Sequence, residues 1–353
     1  MPFPLITTVD RLPPALAASA GPAERAYAGE LRSRFSLPFA VTPHFASLAG
    51  PDPDDPIRRQ FFPDPREAIP DSFALDDPLG AALWQASPRL VHQYRDRALL
   101  LAGGACAGYC RYCFRRVWVG GGQAFIGGAE LEAALGYLRE HPEIREILVS
   151  GGDPLTAGDA ALGELFRRLR EARPGILLRV CTRVPITEPT RLSPGLIGLF
   201  RQWRPLRLAV HINHPRELAV PAREALAACV DAGIPVHVQT VLLRGINDSV
   251  ETLEELFREC LCLGLSPYYL FQLDLAPGTA HFRVPLEQGL SIYEALQARI
   301  GGPGLPAYAV DLPGGGGKIR LRREAIAGEE EREGRRVLLL EGPGGKRWVY
   351  PAE

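Results

Sequence analysis

The chain has 353 residues and a formal net charge of −1, enough length for one full core and no basic surplus of the kind that marks a nucleic-acid binder. Its seven cysteines, three of them in one short run, are too clustered for a disulfide framework. No apolar stretch approaches a membrane span and no signal-peptide pattern opens the chain, so a cytoplasmic protein with neither nucleic acid nor membrane as partner is expected.

Residues 1–95 are rich in Pro and Asp, with turn signals at Pro51-Asp-Pro-Asp-Asp-Pro56, Pro63-Asp-Pro65 and Asp77-Pro78. One helical stretch is expected over Ala23–Phe35, and the whole segment reads as an irregular arm. From Arg97 the pattern alternates. Strands are expected at Arg97–Ala102, Glu146–Ser150, Leu177–Thr182, Leu206–Asn213, Pro235–Leu243 and Tyr268–Asp274. Helices are expected between them at Ala129–Glu140, Ala160–Ala172, Pro221–Ala232 and Ser249–Leu263. Six strand–helix units in series argue an α/β fold with a parallel sheet, and periodicity does not separate an open sheet from a partly closed barrel. A seventh segment, Ala307–Asp311, leads into Pro313-Gly-Gly-Gly-Gly-Lys318. Residues 319–353 read as strands with an acidic link at Glu329–Glu333 and a Gly-Pro-Gly-Gly hairpin turn.

Working residues of such folds stand at the carboxyl ends of strands. Directly after the first strand comes Cys106-Ala-Gly-Tyr-Cys110-Arg-Tyr-Cys113. Three thiolates are one short of the four that saturate an iron–sulfur cluster or a structural zinc. A four-iron cluster so held would keep one iron open to a ligand that is not protein, whereas a zinc knuckle would need a fourth ligand from elsewhere. Polar groups close later strands at Ser150-Gly151-Gly152-Asp153, His211-Ile-Asn213-His214, Val238-Gln239-Thr240 and Gln272-Leu-Asp274.

Of 40 Lys plus Arg, only Lys318 and Lys346 are lysines, which leaves 38 arginines. Arginine supplies positive charge but cannot form a Schiff base, so an interior lysine in such a chain is what a pyridoxal phosphate (PLP) enzyme would have to keep. The four-glycine run before it could cradle phosphate or be a flexible loop. It is not a P-loop, because Ile319 follows Lys318. Cys181, Cys229, Cys260 and Cys262 fall in helix or strand patterns and read as small buried apolar residues.

The C-x3-C-x2-C run after a first strand resembles the radical S-adenosylmethionine (SAM) enzymes. Cys110–Arg116, Ser150–Leu155 and Asp311-Leu-Pro-Gly-Gly-Gly-Gly-Lys318 together resemble the lysine 2,3-aminomutase family, as do Thr42-Pro-His, Asp77-Pro-Leu-Gly, His211-Ile-Asn-His-Pro215 and Phe271-Gln-Leu-Asp274. The resemblance spans about Leu37 to Leu321. It implies a partial (βα)6 barrel over 96–275 and a segment over 276–325 that carries the PLP lysine and closes the barrel; beyond them the residues of 326–353 read as a β-hairpin extension.

By that resemblance, Cys106, Cys110 and Cys113 would hold a [4Fe-4S] cluster whose open iron takes SAM. Gly151, Gly152, Asp153, His211 and Gln239 would line the SAM site. Lys318 would bind PLP, with Tyr94 and Arg97 near its phosphate. Arg115 would grip the substrate carboxylate, and Asp274 and Asp311 would face the distal ammonium of lysine. The implied activity is a 1,2-amino migration converting L-lysine to β-lysine through a 5′-deoxyadenosyl radical, with an external one-electron reductant and a homo-oligomeric enzyme. The alternatives are the same chemistry on a lysine held in elongation factor P and, more remotely, a non-catalytic zinc-binding protein. Two departures stand out. No cysteine follows Cys262, and Ser249 stands where a further ligand is expected, so the family's structural zinc is not expected here. Gln93 replaces an arginine beside Tyr94.

Overall fold

The computed structural model describes residues 3–31 and 37–353. A ten-stranded sheet holds β1 (Gln85–Ser87), β2 (Leu90–Tyr94), β3 (Arg97–Gly103), β4 (Glu146–Gly151), β5 (Leu177–Thr182), β6 (Leu206–His211), β7 (Val236–Val241), β8 (Ser266–Phe271), β9 (Ala307–Leu312) and β10 (Gly317–Arg320) in sequence order. From β3 to β9 every neighbour is parallel, while β1, β2 and β10 run antiparallel to theirs. The expected α/β architecture therefore forms with seven parallel strands, the seventh being Ala307–Leu312. The sheet has open edges, but it curls until they meet. The Lys318 N–H on β10 donates to the Tyr94 hydroxyl of β2 at 2.9 Å, and Gln93 Nε2 donates to the Gly315 carbonyl at 3.1 Å.

Helices cover the outer face. Numbered in chain order, the helices are α1 (Pro14–Ser19), α2 (Pro22–Glu30), α3 (Pro43–Ser47) and α4 (Arg58–Phe61) in the amino-terminal arm, α7 (Val184–Thr187) in the turn after β5, and, covering the sheet, α5 (Gly128–Glu140), α6 (Asp159–Ala172), α8 (Pro194–Gln202), α9 (Val220–Asp231), α10 (Val250–Cys262) and α11 (Leu286–Gln297). α6 shows why they pack: Leu162, Leu165, Phe166 and Leu169 recur at helical spacing and are all buried. Each such side chain contributes roughly 1.5–3 kcal/mol of burial. α10 does the same with Leu253, Leu256, Phe257 and Cys260, and Ser249 caps it by accepting from the Thr252 N–H.

The strands show two unlike faces. On β5, Leu178, Val180 and Thr182 are buried under helices while Leu177, Arg179 and Cys181 are half-buried on the other side. That inner face carries charge, with Arg179 paired to Glu146 at 2.7 Å. A curled sheet whose inner face is polar and partly open has room for a site.

The sequence reading differs from the structure in four places. The helix expected to reach Phe35 runs to Glu30, and residues 32–36 lie outside the described residues. The segment read as an irregular arm ends in the β1–β2 hairpin, whose short strands pair with β3. The extension beyond 325 is a three-stranded antiparallel sheet, not one hairpin: β11 (Ile326–Arg332), β12 (Arg335–Glu341) and β13 (Arg347–Pro351). Most of the acidic link lies within β11, because Glu329 finds Arg336 across the ladder at 2.6 Å and the turn falls at Glu333-Gly334, both with positive φ. Cys262 is exposed and Cys181 half-buried, so only Cys229 and Cys260 are the buried small residues expected.

Candidate active site

The three cysteines occupy the loop that leaves β3. Two sets of contacts hold it. From the amino-terminal arm, Val41 bridges to Gly108, the Tyr109 N–H donates to the Ala40 carbonyl, and the Arg111 N–H donates to the Gln60 carbonyl. From the end of β4, the Gly152 N–H donates to the Gly103 carbonyl at 2.7 Å and the Asp153 N–H to the Ala105 carbonyl at 2.8 Å. A Cβ on Gly152 would stand 2.4 Å from the Ala105 oxygen, and Gly151 has φ +118° with the Gly103 oxygen 2.6 Å from its own would-be Cβ. The close approach that the glycine pair permits is thus to the cysteine loop's own backbone.

Asp153 turns away from the thiols. Its carboxylate accepts from Thr182 Oγ1 and from the backbone N–H groups of Leu155, Arg183 and Val184, tying β4 to β5. Burial nevertheless raises its pKa to about 6.

Burial pushes the Cys106 thiol well up, with Cys113 and Cys110 adding to the effect, and holds Cys113 at about 11. Cys106 and Cys113 therefore ionise only in the company of added positive charge, which suits a metal cluster. Among the described residues, only His92, His141 and Glu143 bring three ligand atoms within 4.8 Å of one another.

Around Cys110 is a network the sequence reading missed. Arg183 Nη1 donates to Cys110 Sγ at 2.8 Å and its Nη2 reaches Glu217 at 3.2 Å. Gln60, from the arm, accepts from Arg183 and from Asn213, and donates to Glu217 at 2.8 Å. The Tyr112 hydroxyl meets His211 Nε2 at 3.0 Å, their rings stacked with centroids 5.6 Å apart. Burial and the Arg183 charge lower the His211 pKa to about 3, so the imidazole is neutral. Gln239 lies directly beside His211 in the β6–β7 register. Arg183 follows the last residue of β5, the same strand-end position that marks the other site residues, and that is the signal that could have found it.

A second group gathers at the other edge of the sheet. Lys318 and Asp311 are register partners on β10 and β9, and the Lys318 ammonium pairs with the Asp311 carboxylate. The ammonium also lies 3.9 Å from the Phe271 ring centroid and 5.3 Å from that of Tyr269. The glycine run before Lys318 is a packed turn, not an open nest. The Gly314 and Gly316 N–H groups are spent on the Pro78 and Leu312 carbonyls, and a Cβ on Gly316 would stand 2.4 Å from Trp348 Nε1. Tyr94 meets the Lys318 backbone, with the Arg97 guanidinium 4.0 Å from the Tyr94 ring centroid.

Arg115 joins the two groups. Half-buried, it donates to Ser150 Oγ at 3.3 Å, and the charges acting on it come from Cys113, Cys181, Asp274 and Asp311. Asp274 closes the set: burial and the Asp311 charge hold its carboxyl well above the usual range, against the pull of Lys318 and Arg115. An interior lysine amine beside aromatic rings, with Tyr94 and Arg97 adjacent, is a donor set that fits PLP. Lys346, over Trp348 on an exposed turn, does not offer one.

Comparison with known proteins agrees with this layout. Residues 100–259 match the profile of the Radical SAM superfamily. The chain is 46% identical over 84% of its length to a Treponema pallidum protein described as "Putative L-lysine 2,3-aminomutase", covering 83% of that protein. It is 38% identical to the L-lysine 2,3-aminomutase of Clostridium subterminale, over 80% of this chain and 68% of that one. It is also 33% identical to the glutamate 2,3-aminomutase of Clostridioides difficile, over 84% and 70%. A cysteine loop at the mouth of a curled parallel sheet, facing a single interior lysine, and this degree of identity lead to one conclusion: the chain belongs to the lysine 2,3-aminomutase family of radical SAM enzymes.

Proposed function

We propose that the chain moves the α-amino group of free L-lysine to the β-carbon. The observation that carries this is the charge balance around Lys318. Asp274 and Asp311 face one ammonium and one guanidinium, Lys318 and Arg115. Once the Lys318 nitrogen is committed to PLP and Arg115 to a substrate α-carboxylate, the two acids lack a cation. A half-buried carboxylate left without a cation is unfavourable. With Asp274 held protonated beside Asp311, the ε-ammonium of lysine restores the balance, and the side-chain carboxylate of glutamate would worsen it.

In this reading Cys106, Cys110 and Cys113 hold the cluster, with Gly151, Gly152, His211 and Gln239 beside it for SAM, while Lys318, Tyr94 and Arg97 hold PLP. Bound there, the cluster with SAM would supply a 5′-deoxyadenosyl radical, and PLP would delocalise the unpaired electron during migration. The protein's own part is placement. Arg115 orients the carboxylate through a two-pronged contact, the acid pair fixes the far end, and the β-carbon is held between the two groups. Neutral His211 adds no charge to the cavity. Asp153, spent on Thr182 and backbone N–H groups, holds the strand ends in place.

Anaerobic loading with iron, sulfide, SAM and PLP, followed by reduction and amino-acid analysis, tests the proposal. β-Lysine from L-lysine is expected, with little or no turnover of L-glutamate or of lysine within elongation factor P. A loaded enzyme that leaves free lysine unchanged, or prefers either rival, overturns it.

A further inference from the structure

Away from the cavity, on the helix-covered side of the sheet, stands a cluster with no part in the chemistry above. His92 lies on β2, His141 closes α5, and Glu143 is in the turn that leads to β4. Their ligand atoms all lie within 4.8 Å of one another, and all three residues are half-buried, held by packing yet open to solvent. His141 Nδ1 meets Glu143 Oε1 at 2.8 Å, and His92 Nδ1 meets the Tyr137 hydroxyl at 2.9 Å. The Tyr137 ring stacks on His141 with centroids 3.8 Å apart, and the two imidazoles are 5.8 Å apart, edge to face.

We propose that His92, His141 and Glu143 bind one zinc ion. Two neutral imidazoles and a carboxylate form a His2Glu donor set with one negative charge, suited to a divalent borderline ion. The second nitrogen of His92 faces the Arg95 carbonyl at 3.4 Å. A backbone acceptor there keeps the proton on Nε2, the usual arrangement outside a metal–imidazole bond, and leaves Nδ1 an unprotonated acceptor that takes the Tyr137 O–H until a metal displaces it. Three donors on tetrahedral zinc at ~2.0 Å stand roughly 3.3 Å apart, so small rotations of side chains already this close complete the site. The fourth position is left to water or to the Tyr137 hydroxyl. Ser249, which caps α10, has no role in this site.

The site has a structural consequence. It would pin β2 to the end of α5, and the two residues after His92 are Gln93 and Tyr94, whose side chains bridge to Gly315 in the turn before β10 and to Lys318 on β10. Zinc would therefore stiffen the strand that supports the lysine.

The test is zinc analysis and zinc K-edge X-ray absorption on the cluster-loaded, PLP-bound protein, beside H92A/H141A and the more conservative E143Q. One zinc per chain is expected in the parent, with only nitrogen and oxygen neighbours near 2.0 Å and imidazole scattering beyond. In H92A/H141A zinc falls to background while iron content is unchanged; E143Q weakens zinc binding at least tenfold without loss of the fold. Added zinc should raise the thermal midpoint of the parent and not of the double variant. Absence of zinc after growth in zinc-supplemented medium, zinc content unaffected by the variants, or sulfur neighbours near 2.3 Å each overturns the assignment.

Discussion

Glu67 is the side chain on which the join between arm and cysteine loop depends most. It accepts from Arg111 Nε at 2.8 Å and Nη2 at 2.6 Å, and from Arg116 Nη2 at 2.6 Å. None of the three side chains is more than 2% exposed. In Glu67→Gln the shape is kept, and Oε1 can still accept from the Asp64 N–H as it does now. The new amide would then turn its donors toward Arg116, and two buried guanidiniums would lose their only carboxylate. Breaking a buried pair from one side costs about 3–5 kcal/mol, a large part of a typical 5–15 kcal/mol of stability. Arg116→Met leaves Glu67 its two-pronged bond to Arg111, so a smaller loss, roughly 1–2 kcal/mol, is expected. Arg111→Met should fall between, because it also frees the Leu37 and Pro38 carbonyls. Urea unfolding of the three cluster-free variants, with iron bound after reconstitution as a second readout, gives the order. The reasoning fails if E67Q lies within about 1 kcal/mol of the parent, or if R116M is as damaging as E67Q.

Three further predictions concern the site. Lys318→Arg should keep the charge beside Asp311 yet abolish the visible absorbance of protein-bound PLP, since a guanidinium forms no Schiff base; retained absorbance would place the PLP on another amine. Asp274→Asn and Asp311→Asn should each raise the KM for lysine about 10- to 100-fold, the worth of one charge-assisted hydrogen bond, and an unchanged KM would mean the acids face something else. His211 has a folded pKa near 3 against 6.5 in the unfolded chain. Its contribution is therefore present above pH 6.5 and lost as pH falls through 3, on the order of 5 kcal/mol in all. His211→Gln should flatten the stability profile across that window, and an identical slope by urea titration would refute the assignment.

How much of this was readable beforehand depends on the range of the interaction. The parallel strands were placed to within a few residues, since alternating apolar runs and helix-period segments are local signals. The β1–β2 hairpin was missed because its strands are short and lie among Pro and Asp. Arg183 was missed for a different reason. Its place just after β5 marks it as a site candidate, but nothing near it in sequence says that its partner is Cys110, 73 residues earlier. The glycines at 151 and 152 were noticed, but what they make room for, the backbone of the cysteine loop, depends on how that loop returns across β4.

The sequence by itself determined the chemistry the chain can host. The cysteine spacing, the interior lysine and the strand–helix alternation are set by neighbours a few residues apart, where the backbone's own periodicity does the sorting. The tertiary structure decided which charges meet. Lys318 reaches Tyr94 across 224 residues, and Arg115 lies among Asp274, Asp311 and Cys113, because a twisted ten-stranded sheet curls until its edges touch. No local pattern encodes that closure; it follows from packing the helices on one face and leaving the other free to enclose a site.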